Sequence, residues 1–240
     1  MSDKVKSLLA ELKQSQGISS SKDIPKRVRP SLSKDKKEKE SDEKEVTSGT
    51  YTILCIGAST GGPSAVQTVL QGLGKNFPLP VLYAQHLDVG ADEKMAKWFD
   101  DTCPDICVSL AKDGEVAEPG HVYLAPAEKH LVIDRIKNGL PVLHLSDEAP
   151  ERFLRPAVNK LFRSAAKFYK DNCLAILMTG MGADGAEGCK EIVDAGGYTI
   201  CEDKSTCKVF GMPAAAIAMN AASKVLPRGE VAPAILRMVK

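Results

Sequence analysis

The sequence predicts an α/β fold: a doubly wound, mostly parallel sheet with helices on both faces and an antiparallel hairpin insertion. Three observations carry this. From residue 51 onward, short runs that are apolar at nearly every position alternate with helix-like stretches, the pattern of parallel strands buried on both faces. Glycine-rich turns such as GASTGG and TGMGADG stand where these runs end. Between residues 106 and 146 the segments ICVSLA, HVYLAP, HLVIDR and LPVLHLS follow one another with no helical stretch between them, so a hairpin or an antiparallel edge is expected there.

The elements follow in order. YTILCIG is the first strand, with a helix from about Pro63; PVLYAQH is the next, with a helix from about Ala91. After the helix-free stretch, CLAILMTG leads to a helix through AEGCKEIVDAG, and YTICE leads to one near MPAAAIAM. The first 48 residues have a different texture, carrying 12 Lys+Arg against 9 Asp+Glu. DKVKSLLAELK places Val5, Leu8, Leu9 and Leu12 at helical spacing. Residues 17–48 include SKDKKEKESDEKEVTS, whose single apolar residue is Val46; such a segment cannot offset the entropy of ordering itself. The expected organisation is residues 1–48 as a short amphipathic helix plus a disordered charged linker, and residues 49–240 as one α/β domain.

Composition excludes several classes. The chain has 240 residues, 43% of them hydrophobic, with 32 Lys+Arg against 31 Asp+Glu. It lacks the basic excess and aromatic platforms of a nucleic-acid binder. No apolar run approaches the roughly 20 residues of a membrane span, and no apolar segment near the start reads as a secretory signal. The seven cysteines, at 55, 103, 107, 173, 189, 201 and 207, show no zinc-ligand pairing and read as reduced thiols of a cytoplasmic protein.

The stretch TILCIGASTGGPSAV at residues 52–66 admits three readings. It is not a P-loop, because no Lys follows Gly61-Gly62, nor a dinucleotide fingerprint, because Ser59 stands where the second Gly belongs. Ser59 can cap the helix that begins near Pro63. Alternatively, Gly57, Ser59 and Gly61 fit G-x-S-x-G, the spacing that lifts a nucleophilic serine onto a strand-to-helix elbow. A nucleophile needs a base, and His86 closes the next strand. In an open parallel sheet the segments just past the carboxyl ends of strands line one crevice, so Ser59 and His86 leave by the same edge. His121, His130 and His144 read as surface or core-edge histidines. Asp184, in the glycine-rich loop after CLAILMTG, is either ordinary turn chemistry or the group that orients the imidazole. No packing role is expected for any of the three.

The blocks IGASTGGPSAV, AQH, KDGEVAEPGHVYLAP, KHL, RPAVNKLFRSAA, ILMTGMGADGAEG and VFGMPAAAI resemble, in order, those of the CheB family of chemotaxis receptor methylesterases. The resemblance runs over about residues 51–238. It implies Ser59 as nucleophile, His86 as base and Asp184 as orienter, with Thr60 and Met181 shaping the pocket. The implied substrate is a glutamyl methyl ester on the cytoplasmic helices of methyl-accepting chemoreceptors, with receptor glutamine deamidation as a second activity. The oxyanion would need backbone donors, for which Thr60 and the Met181-Gly182 loop are candidates; no cofactor, metal or nucleotide is required. Arg155 is a candidate for contact with acidic receptor surface, and a monomer without membrane insertion or nucleic-acid partner is expected.

Two departures bear on the reading. The family's usual RPSVD is Arg155-Pro156-Ala157-Val158-Asn159 here, so a polar contact near the pocket is expected to be missing. The family's typical member begins with a phosphorylatable receiver domain, whereas 48 residues precede the matching part here, which predicts a constitutively open crevice. Two other classes remain: a nucleotide- or sugar-phosphate-binding α/β protein with an anion at the Gly61-Gly62 helix start, and a non-catalytic component of the receptor array.

Overall fold

The structure, a computed structural model, describes residues 51–239. The expected helix through Val5, Leu8, Leu9 and Leu12, the linker to residue 48 and the boundary there lie outside the described residues. Those that are described belong to one compact unit, Glu45–Lys240.

Seven strands form one parallel sheet in the order β3-β4-β2-β1-β7-β8-β9. They are β1 (Ile53–Ala58), β2 (Val81–Gln85), β3 (Cys107–Leu110), β4 (His121–Leu124), β7 (Cys173–Leu177), β8 (Tyr198–Glu202) and β9 (Lys224–Leu226). The helices are α1 (Gly62–Leu73), α2 (Asp92–Thr102), α3 (Val158–Tyr169), α4 (Ala186–Asp194), α5 (Met212–Ala218) and α6 (Arg228–Met238). β5 (His130–Lys137) and β6 (Leu140–Ser146) pair antiparallel as a separate two-stranded sheet. The expected doubly wound sheet and hairpin insertion are both present.

Strand alternation assigns the two cores. In β1, Leu54, Ile56 and Ala58 face a cluster containing Val66, Leu70, Phe99 and Ile235, under α1, α2 and α6. Ile53 and Cys55 face the other, containing Val158, Phe162, Ile192 and Met212, under α3, α4 and α5. β1, β2 and β7 are buried at every position, which is why their sequences are apolar throughout rather than alternating.

The helix-free stretch is more interleaved than its sequence suggests. β3 and β4 are not antiparallel: they pair parallel with each other, and β4 pairs parallel with β2. Residues 111–120 cross between them without a helix. Instead they bond to the hairpin, Gly114 N to Leu143 O at 2.8 Å, Leu143 N to Glu115 O at 2.8 Å and Ala117 N to Pro141 O at 2.9 Å. The hairpin then lays Leu131, Ile133 and Leu143 onto the sheet beside Tyr123 and Leu82. It covers the face a crossover helix would otherwise cover. Three elements have no counterpart in the sequence reading: α3, β9 and α6.

The sheet grows outward from β1, with β2 on one side and β7 on the other. Strand order reverses there, so a crevice opens at the carboxyl ends of these three strands.

Candidate functional site

Ser59, His86 and Asp184 all emerge at that crevice. β1 and β2 are in register up to Ala58↔Gln85, so Ser59 and His86 are the next pair along. Strand spacing then puts their backbones about 5 Å apart. The pairing continues past the strands, because His86 N donates to Ala58 O at 3.2 Å. Gln85, 2% exposed, fixes both backbones at once: its Nε2 donates to Ser59 O and to His86 O at 3.0 Å each. Its Oε1 accepts from the buried Tyr83 hydroxyl at 2.6 Å.

The chain then turns sharply. Gly62 N donates to Ser59 O at 2.8 Å, and Gly61 sits in the left-handed region at φ 83. A Cβ at Gly61 would also stand 2.6 Å from the Lys208 Cβ, so the glycine is required twice over. The α1 N-cap is Gly61, with no side-chain cap; Ser59 does not serve as that cap, and its hydroxyl makes no hydrogen bond among the described residues. Opposite it, a Cβ at Gly180 would lie 2.7 Å from Ser59 Cβ. The loop after β7 therefore closes directly over the serine.

Asp184 lies in that loop and is 2% exposed. Its Oδ2 accepts from His86 Nε2 at 2.8 Å and from Val158 N at 2.6 Å; its Oδ1 accepts from Asn159 N and Gly185 N at 2.9 Å each. Two of these donors belong to the first turn of α3, where orphan amides and the helix dipole favour a carboxylate. Burial by itself would push the Asp184 pKa up. The His86 bond, then the Asn159 and Val158 amides, outweigh burial and hold it below the usual carboxylate value. In His86, Nε2 is the ring nitrogen bonded to Asp184, and Nδ1 has no protein partner among the described residues. The backbone amides of Thr60, Met181 and Gly182 donate to no protein acceptor among the described residues. Thr60 is exposed and Met181 is 75% exposed. Arg155 lies in the segment entering α3, where its Nη1 donates to the Asp147 and Glu148 carbonyls at 3.3 and 3.4 Å.

Besides Gln85, four supporting residues were not singled out from the sequence as part of this arrangement. Asn159, one of the residues that depart from the family's usual motif, is well bonded: its Oδ1 accepts from Gly185 N and Gly188 N at 2.9 Å each, and its Nδ2 donates to Glu151 Oε1 at 3.1 Å. It thereby clamps the start of α4 to the start of α3, with Asp184 between them. Thr179 ties the nucleophile turn to the next loop, donating to Thr60 O at 3.0 Å and accepting from Val209 N at 2.9 Å. Glu202, fully buried, accepts from Thr179 N at 2.8 Å and from Arg228 Nε at 3.0 Å. His130 is also fully buried rather than at an edge. Its Nδ1 accepts from Ala157 N and its Nε2 donates to Ala149 O, both at 3.2 Å. The other two behave as read: His121 bonds Ser109 and His144 bonds the exposed Asp113.

His130 has a testable consequence. Burial lowers its pKa, with Lys160 and Arg155 adding to the effect and the Ala149 bond and Glu148 opposing it. The unfolded chain therefore takes up a proton at higher pH than the native one. The stability this histidine contributes is complete above its unfolded value of about 6.5, and is lost as pH falls from there to the lowered native value. Protonated Nδ1 would also face the Ala157 amide, donor against donor. His130→Gln, which keeps one donor and one acceptor, should reduce the fall in denaturation midpoint between pH 7 and 5.5. An equal fall in both proteins would assign the pH dependence to other groups.

A cleft of about 740 Å³ lies elsewhere, between the hairpin and the outer faces of α3 and α4, lined by Ile133, His144, Lys160, Arg163 and Glu191 among others. It contains none of Ser59, His86 or Asp184. Of its cations, Lys160 is matched by Glu148 and Arg163 by Glu151 and Glu191, while Lys167 lies over the Phe168 ring.

Comparisons with known proteins agree on what this arrangement resembles. The CheB methylesterase family model matches residues 54–235. A protein-glutamate methylesterase/protein-glutamine glutaminase 2 of Anaeromyxobacter dehalogenans is 40% identical over 188 residues, covering 78% of this chain and 53% of that protein. A protein-glutamate methylesterase/protein-glutamine glutaminase 1 of Burkholderia pseudomallei is 42% identical over 187 residues, covering 78% and 50%. The chain thus spans about half the length of the curated relatives it matches. The crystal structure of the Thermotoga maritima CheB methylesterase catalytic domain superposes with a TM-score of 0.76 at 38% identity, over 79% of this chain and 99% of that one.

Proposed function

The chain belongs to the CheB methylesterase family, and from that premise we propose that residues 49–240 are a catalytic domain that hydrolyses glutamyl methyl esters on chemotaxis receptors. One observation carries the reading: Ser59 and His86 leave adjacent strand ends side by side, and His86 Nε2 is bonded at 2.8 Å to a buried Asp184. A base oriented by a buried carboxylate, near a serine with no competing hydrogen bond among the described residues, supports the reading as a serine hydrolase.

The chemistry follows from these atoms. His86 Nδ1 takes the Ser59 proton as Oγ bonds to the side-chain carbonyl carbon of the ester. Asp184, held ionised, stabilises the imidazolium. The oxyanion is received by open backbone amides, the candidates being Thr60, before the helix start, and Met181-Gly182, beside Gly180. His86 returns the proton to the departing methoxide, and methanol leaves. A water then gives a proton to His86 and its oxygen to the acyl carbon, releasing glutamate and restoring Ser59. With glutamine as substrate the same steps release ammonia. The proposed setting is the cytoplasm, with a monomer acting on the cytoplasmic helices of receptors. Among the described residues no helix is long and apolar enough to cross a membrane. Methanol release from methylated receptor, compared between wild type and Ser59→Ala, tests the proposal; equal release would overturn it.

Arg155 has no carboxylate partner among the described residues, so its charge is available to an acidic substrate surface. Arg155→Ala should raise KM on intact receptor about three- to tenfold with kcat little changed, as expected when binding common to ground and transition states is removed. An unchanged KM would leave Arg155 as a brace for the loop carbonyls it already holds.

A further inference from the structure

Large apolar side chains exposed to solvent are unevenly distributed. Val89, Met181 and Phe153 are 71%, 75% and 100% exposed, and every other exposed large hydrophobic among the described residues is at 40% or less. All three belong to segments that flank the site residues. Val89 follows His86 by three residues, Met181 adjoins the glycine that packs on Ser59, and Phe153 lies in the segment leading into α3. Isolated exposed apolar residues are ordinary, but concentration at one edge marks an interaction surface.

Phe153 is held there against its own preferences. Glu151 and Leu154 close a two-residue turn, Glu151 N to Leu154 O at 3.1 Å and Leu154 N to Glu151 O at 3.0 Å. The two central residues, Arg152 and Phe153, have φ of 52 and 67. This left-handed geometry suits Asn-Gly, and side chains with a Cβ are disfavoured in it. The turn is nonetheless firmly mounted. The Glu151 carboxylate accepts from Asn159 Nδ2 at 3.1 Å and from Arg163 at 3.0 Å, and Arg152 pairs with Glu187 in the first turn of α4. These mounts are the starts of α3 and α4, which also hold Asp184. The backbone that carries Phe153 therefore has a fixed place beside the starts of α3 and α4.

We infer that Phe153, with Val89 and Met181, seats the apolar face of an amphipathic receptor helix carrying the ester. The inference rests on the activity proposed above. The reach of the substrate decides the occupant. A glutamyl side chain is short, so its carbonyl meets Ser59 only when the backbone of its helix is brought down onto the crevice. Residues three and four positions away lie on the same helix face and must then touch the rim. An apolar rim selects apolar residues at those positions. Arg155 and Lys208, neither with a carboxylate partner among the described residues, suit acidic residues at the margins.

The test is Phe153→Gly in the full chain. Its kcat/KM on methylated receptor in membranes should fall about tenfold or more, mainly through KM, while hydrolysis of a small aryl acetate stays unchanged. Glycine removes the backbone penalty, so the same variant should melt about 2–4 °C higher, the opposite of what loss of a packing residue would do. Unchanged receptor kinetics, or an equal fall on both substrates, would overturn the docking role. Sedimentation showing that wild type dimerises and the variant does not would reassign the rim to a second copy of this chain. If wild type cleaves the aryl acetate but frees no methanol from receptor, the activity reading itself fails and the docking inference falls with it.

Discussion

Replacing Ser59 or His86 by alanine should each lower kcat on methylated receptor by about 10⁴-fold or more, and the double variant should be little worse than either. The reason is geometric. Ser59 is activated only by the imidazole beside it, so removing either member removes the same step, and the losses do not add. The residual rate would come from binding and the open amides. Ser59 Oγ bonds to nothing among the described residues, so Ser59→Ala should unfold within about 0.5 kcal/mol of wild type. His86→Ala leaves Asp184 with three amide donors and should lose more, though still modestly. Steady-state kinetics with a denaturant titration of each variant checks both parts. Losses that multiply in the double variant would mean that the two side chains act in separate steps.

Asp184→Asn should cost about 10⁴-fold in kcat, since an amide can neither fix the tautomer that the proposed mechanism needs nor stabilise the imidazolium. Unlike Ser59→Ala, it should also destabilise the fold. The carboxylate accepts from Val158, Asn159 and Gly185 as well as from His86, whereas asparagine offers one oxygen and would turn an NH₂ toward other donors. An unfolding penalty of about 1–3 kcal/mol follows from leaving such buried groups unmatched. The expectation from sequence that this residue has no part in folding is thus replaced by a double role. Linkage gives a second check. Its native pKa is lowered, so the stability it contributes is present above the unfolded value of about 3.9 and is lost as pH falls through the native value. The denaturant midpoint of Asp184→Asn should accordingly depend less on pH in that range. Full stability with lost activity would confine Asp184 to catalysis alone.

Much of this was available in the primary structure because the information was local. A strand buried on both faces has to be apolar throughout, so β1, β2 and β7 announce themselves as parallel and central. A chain that turns within three residues at a strand end needs glycine, so Gly61 and the TGMGADG loop mark where the crevice opens. Given a parallel sheet, the chain order of strand ends is enough to bring Ser59, His86 and Asp184 to one edge. The blocks that carry the family resemblance are these same turns.

What the sequence could not settle was long-range partnership. Nothing near His130 shows that it is buried and bonded to Ala149 and Ala157, because its acceptor and donor lie 19 and 27 residues away. Asn159 reads as a departure from a familiar motif, yet its amide joins two helix starts. β3 and β4 resemble antiparallel strands because no helix separates them; only the hairpin that substitutes for the crossover helix shows them to be parallel. Phe153 reads as an ordinary apolar residue until the turn that exposes it is seen. Period, turn chemistry and glycine placement act over a few residues and are written in order along the chain. Hydrogen-bond partners and exposure depend on which distant segments meet, and that was decided only when the two faces of the sheet were covered.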